Sequence, residues 1–235
     1  MPASHGLKLS WQPTVPLLLG VNGGFVDTAG VLALQGLFTA HVTGNFVTLG
    51  AAVVFGTSGT AAKILALPTF CAVILLARLA SHGLVVRGIA VLRTLLTLKV
   101  ALLAAAGALA IRYGPFSNGD SGLALTTGLT LVSAMAIQNA AHRIHLGSAP
   151  PSTVMTGTTT QMMLDVADLL RHPEADKKDA ARARLMRMTG SVLAFAFGCA
   201  AAALCFAKAG VYCFLVPPIL GFGTLLKPLA AFEPH

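Results

Sequence analysis

The chain of 235 residues is 55% hydrophobic and only 10% charged, with a mean hydropathy of +0.78, whereas soluble domains carry roughly 25% charged residues. That excludes a water-soluble fold, and the excess of 16 Lys and Arg over 8 Asp and Glu reads as basic cytoplasmic loops rather than a nucleic-acid surface. Cys71, Cys199, Cys205 and Cys213 form no CxxC pair and sit in apolar stretches, which points to packing rather than a disulfide or metal site.

Six stretches are long enough to cross a ~30 Å hydrocarbon core at 1.5 Å per residue. They are 15–35, 62–80, 94–111, 122–141, 189–207 and 210–226. Residues 1–13 hold one lysine and no cleavage site, and Asn22 and Asp27 interrupt the first span, so that span is expected to be retained rather than removed as a signal peptide.

Basic residues set the expected orientation. Arg171, Lys177, Lys178, Arg182, Arg184 and Arg187 cluster before the fifth span, and Arg78, Arg87 and Arg93 flank the turn between the second and third. Both loops are expected on the cytoplasmic side. Segments 36–60 and 147–170 then leave from one face and return to it, the first from outside and the second from inside. The expected architecture is an all-α polytopic membrane protein in one integral membrane domain. It has six transmembrane helices as an inverted 3+3 repeat (about 14–112 and 122–228) with two re-entrant hairpins, and both termini are cytoplasmic.

Each hairpin carries a Thr-Gly motif. Gly24-Phe25-Val26-Asp27 is followed by Thr43-Gly44-Asn45, and Ala136-Ile137-Gln138-Asn139 is followed at similar spacing by Thr156-Gly157-Thr158. Gly44 and Gly157 let the backbone turn or approach a neighbour closely. Thr43 and Thr156 are expected to cap short helices whose free N–H groups point to the membrane middle, where they favour an anion or the negative end of a polar solute. Asn45 and Thr158 add donors and acceptors. Packing of small residues between helices is the competing explanation, and the matching positions of two copies weigh against it.

Asp27 is the costliest residue, since a carboxylate at the membrane centre costs about 2.5 to 3.5 kcal/mol on insertion scales. It reads either as a proton-titrating or solute-contacting group, or as a hydrogen-bonded tie from the first span to its own hairpin through Thr43 or a backbone N–H. Asn139, at the corresponding place, cannot titrate, and Gln138 is a second polar group beside it. Lys99 is expected to snorkel to the interface. His142 and His145 lack the further ligands of a metal site. His41 either lines a vestibule or faces water. Asp165 and Asp168 are expected to pair with Arg171 or Arg182, and Glu174 with Lys178 on a solvated helix.

The residues from Gly24 to Asp27 and from Phe38 to Asn45, with 136–140 and 156–158 later, resemble the two signatures of the YoaK-like family of bacterial inner-membrane proteins, grouped under a domain of unknown function. The similarity covers about 16–228, with Val42 where a methionine is expected. It implies a polytopic protein of the inner membrane and no particular substrate.

The sequence holds no GxSxG elbow, HExxH or P-loop, so an enzyme is disfavoured. The expected function is a transporter or channel for a small solute or ion, with a pathway between the hairpins lined by Asp27, Thr43, Gly44, Asn45, Gln138, Asn139, Thr156, Gly157 and Thr158. A structural or regulatory membrane protein is the alternative. The expected partners are the lipid bilayer and the solute, with no cofactor and no nucleic acid; a homo-oligomer is compatible with this reading.

Overall fold

The computed structural model describes residues 14–171 and 175–232, and every regular element among them is helical. The segment 1–13 and Glu174 lie outside the described residues, as does the side chain of Lys177. Helix α1 (Val15–Ala33) begins with Pro16, whose missing N–H is no loss in a first turn, and stops where Gln35 and Gly36 take φ of 54° and 83°. The loop 34–43 leads into α2 (Gly44–Phe55). There follow α3 (Thr60–Val86), α4 (Val91–Tyr113) and α5 (Gly122–His145), the last capped by the Ser121 hydroxyl accepting from Ala124 N. The loop 146–154 precedes α6 (Met155–Leu170), and α7 (Ala175–Ala209) runs to Gly210, where φ is 54°. A 3-10 turn (Gly210–Leu215) and α8 (Val216–Leu225) complete the bundle.

Five helical stretches, 15–33, 60–86, 91–113, 122–145 and 178–225, are long and apolar enough to span a membrane. The chain is thus a multi-pass, all-α membrane protein by helix length and hydropathy. The expected sixth span, 210–226, is not one α-helix but six 3-10 residues and ten α-helical ones. Left-handed Gly210 breaks the ladder of α7, and prolines 217 and 218 fit only a first turn. Together the two pieces still measure about 27 Å at the rises of the two helix types. Helix α7 starts at 175 rather than 189, because the basic segment is itself rich in helix-forming Ala, Lys, Arg and Leu.

Long helix, short helix and two further helices occur twice in chain order: α1 to α4, then α5 to α8. Packing follows the same exchange. Helix α1 lies on α7 and α5 on α3, α2 on α3 and α6 on α7, α4 on α5 and α8 on α1, while α4 meets α8 between the halves. The α1–α7 crossing is a backbone contact, since a Cβ on Gly24 would overlap the Phe195 carbonyl and one on Gly198 would overlap that of Val21. Outer helices expose rows of large apolar side chains, Leu75, Leu76 and Leu79 on α3 and Leu193, Phe197 and Leu204 on α7. In water such rows are a liability, whereas against lipid they are solvated.

Lys99 departs from expectation. It occupies the buried stripe Leu92, Leu96, Lys99, Leu103, Ala106, Ala110 on α4, is 0% exposed, and its Nζ has no hydrogen-bond partner. Its side chain therefore stays in the bundle instead of snorkelling. At one end of the bundle a polar clasp joins the α2–α3 turn to the α4–α5 loop. Asp120 accepts from Gly59 N and Ala61 N at 2.9 and 2.8 Å, Ser58 Oγ accepts from Gly119 N, and Lys63 Nζ donates to Gln35 O at 2.7 Å.

Candidate functional site

The left-handed residues after α1 turn the chain back along that helix, so the loop reaches Asp27 from within the bundle. Oδ1 of Asp27 accepts from Thr39 N at 2.7 Å, Ala40 N at 2.8 Å and Thr39 Oγ1 at 3.2 Å, and Oδ2 meets His41 Nδ1 at 2.6 Å. These contacts satisfy both oxygens of a carboxyl group that packing takes out of water. Gly30 makes the approach feasible, because a Cβ there would stand 2.8 Å from Thr39 Cγ2. The Asp-x-x-Gly spacing thus has a direct cause: Asp27 receives the loop, and the next turn of helix makes room for it.

Asn45 closes the same loop from its other end. Its Oδ1 accepts from Phe38 N at 2.9 Å and its Nδ2 donates to Phe38 O at 2.8 Å. Gly44 leaves space for the Phe38 ring, which would lie 3.2 Å from a Cβ. Thr43 differs from expectation. Its side chain is exposed and makes no capping bond, and the first N–H groups of α2, at Gly44, Asn45 and Phe46, donate to the carbonyls of His41, Val42 and Thr43. The donors expected to await an anion are in use within this turn.

In the second half Asn139 Oδ1 accepts from Thr153 Oγ1 at 2.7 Å, and its Nδ2 donates to Met135 O one turn back. Gln138 Nε2 donates to Leu19 O on α1 and to Ser152 Oγ. Helix α6 begins at Met155 after Val154, so Thr156 and Gly157 lie exposed inside its first turn and Thr156 caps nothing. No atom lies within 4 Å of a Cβ placed on Gly157, and Thr158 Oγ1 donates to Val154 O. Of the residues expected along a pathway, Asp27 and Asn139 each bind the loop that follows their own helix. The side chains of Thr43 and Thr156, and Gly157, take no part in those bonds.

His41 is held by Asp27, and Phe195 of α7 packs edge-on against its ring with centroids 5.3 Å apart. A cavity of about 420 Å³ opens beside this pair, walled by Asp27, His41, Phe38, Phe195, Val31 and Cys199. A second, of about 140 Å³, lies against Asn139, Ser152, Val154, His142 and Arg143. The role of His41 was hidden in the sequence because its partner carboxylate lies fourteen residues away, and only the reversal at Gln35 and Gly36 brings them together.

Asp165 pairs with Arg184, not with Arg171 or Arg182. Arg184 Nε donates to Oδ2 at 2.8 Å, its NH2 group to Oδ1, and Gln161 Nε2 to Oδ1 at 2.9 Å. The Arg184 hydrogen bonds hold the Asp165 carboxyl below the usual carboxylate range. This bidentate contact fastens α6 to α7.

Among the described residues no group of three His, Cys, Asp or Glu side chains is placed to hold a metal ion. No curated protein and no solved structure matches the chain. Residues 15–226 match the family described as protein of unknown function (DUF1275), and the chain belongs to that family.

Proposed function

We propose that this protein is a transporter or channel for a small solute or ion, with a pathway that runs past the Asp27–His41 and Asn139–Thr153 pairs. The observation that carries this reading is that each polar pair stands at a cavity, one lined by Asp27 and His41 and the other by Asn139. Polar side chains at membrane depth are costly and mark solute routes. A purely structural tie needs the hydrogen bonds but has no use for a cavity on either side, so the cavities favour transport over a structural or regulatory role.

The arrangement is an inverted repeat in this reading. The loop 34–43 with α2, and the loop 146–154 with α6, form two re-entrant hairpins entering from opposite faces of the bacterial inner membrane, with both termini cytoplasmic. Repetition of element order and the exchange of packing partners support it, as does the concentration of basic residues before α7.

Topology is tested by membrane-impermeant maleimide labelling of Thr57→Cys and Asp179→Cys in intact cells. The first labels from outside and the second only after the membrane is opened; labelling of both from one side breaks the inverted repeat. Function is tested by solute-evoked currents and fluxes in proteoliposomes over a broad panel of small solutes. A response that His41→Ala reduces at least tenfold supports the pathway, and a panel without any response overturns it.

A further inference from the structure

We infer, resting on the transport reading, that the larger cavity binds a small organic cation in exchange for one proton held between Asp27 and His41. The imidazole is held on the cavity wall by one short contact, Nδ1 to Asp27 Oδ2 at 2.6 Å, the length of a charge-assisted bond between imidazolium and carboxylate. An imidazolium carries two N–H groups and a neutral ring one, so the ring can release one proton to water and still donate to Asp27 from Nδ1.

Thr39 and Ala40 go on donating to Oδ1 of Asp27 through that step. The result is a carboxylate without a countercharge on the wall of an otherwise apolar cavity, which is an expensive arrangement. A cation entering the cavity restores the balance, one positive charge in for one proton out. The wall specifies its character. Phe38, Phe195, Val31 and Leu32 offer aromatic and aliphatic surface, and the lining holds no Lys or Arg. Aromatic walls with one carboxylate suit an ammonium on an apolar body. From α7 the pair is faced by the Phe195 ring and the thiol of Cys199. An anion finds no such welcome, because the loop amides are taken by Asp27 and by the turn into α2.

The test is calorimetric titration of the purified full chain with benzylammonium, benzyl alcohol and benzoate, in buffers of different ionisation enthalpy. Benzylammonium binds with release of about one proton, and its Kd falls about tenfold per pH unit while the pair is protonated; the alcohol and the acid do not displace it. His41→Gln retains binding with the pH dependence flattened, and Asp27→Asn abolishes binding in protein that still unfolds cooperatively. Should Asp27→Asn fail to fold, the flattened profile of His41→Gln decides the matter. No binding of benzylammonium, binding without proton release, or preference for benzoate overturns the inference. Binding with proton release but no flux in proteoliposomes defeats the transport reading and leaves the exchange site standing. Flux of a solute that neither protons nor benzylammonium inhibit does the reverse.

Discussion

The two loop-and-helix segments, 34–55 and 146–170, follow α1 and α5 in the same order yet are held by different chemistry. The first is closed on itself: Asp27 gathers Thr39, Ala40 and His41, and Asn45 ties both backbone groups of Phe38. The second is held by its surroundings. Gln138 reaches Ser152, Ser191 on α7 donates to Pro151 O at 3.0 Å, and Asp165 binds Arg184. A carboxyl and an imidazole organise the loop 34–43, while the amides of Gln138 and Asn139 organise the loop 146–154 and an ion pair fastens the helix after it. The common Thr-Gly dipeptide is therefore a marker of position, while the loops are held by the polar residues of α1 and α5 and the loop residues that meet them.

Substitution of the two organising residues gives the largest contrast. Asp27→Ala removes the acceptor of a buried, charge-assisted network and strands the Thr39 and Ala40 amides, which costs about 3–5 kcal/mol. Asn139→Ala removes one contact to Thr153 and one to its own helix, for about 1 kcal/mol. Denaturant unfolding in detergent measures both, and equal losses break the distinction.

Acid sharpens it next. Because Arg184 lowers the Asp165 carboxyl in the folded protein, the stability from this pair is complete above the ordinary carboxylate value of about 4. It is lost as pH falls through the lowered folded value. Melting temperature followed from neutral pH to about 3 should show that acid loss, and Arg184→Met should remove the pair's part of it. A profile unchanged by Arg184→Met denies the second hairpin its external anchor.

The smallest effects come from the glycines. Gly44→Ala presses on the Phe38 ring and costs about 1 kcal/mol, whereas Gly157→Ala meets open space on an exposed helix and gains about 0.5–1 kcal/mol. Opposite signs in thermal unfolding support the contrast, and matching signs remove it.

Much of the architecture was legible because the membrane imposes length and apolarity on each crossing. The spans at 62–80, 94–111 and 122–141 fall within α3, α4 and α5. The stretch 210–226 was harder to read, since hydropathy does not register that Gly210 breaks α7 or that prolines 217 and 218 restart a helix. At the site, Asp27 stood out by its cost in lipid and Asn139 by its corresponding place, and the bond from Asp27 to a backbone N–H was one of two readings open from sequence. Which loop residues answered it depended on where the chain reversed, so Thr39 and His41 took the place assigned to Thr43. Lys99 and Arg184 show the same limit: a charge is visible in sequence, but its depth and partner depend on packing between distant helices.

The reciprocal glycine contact of α1 and α7 has a mechanical consequence. With Gly24 seated on the Phe195 carbonyl and Gly198 on that of Val21, neither helix can roll or slide against the other without a main-chain collision. They form a single strut that carries both Asp27 and Phe195, two walls of the larger cavity. Any widening of that cavity must come from the lighter loop 34–43 swinging away from the strut, with His41 as its point of release.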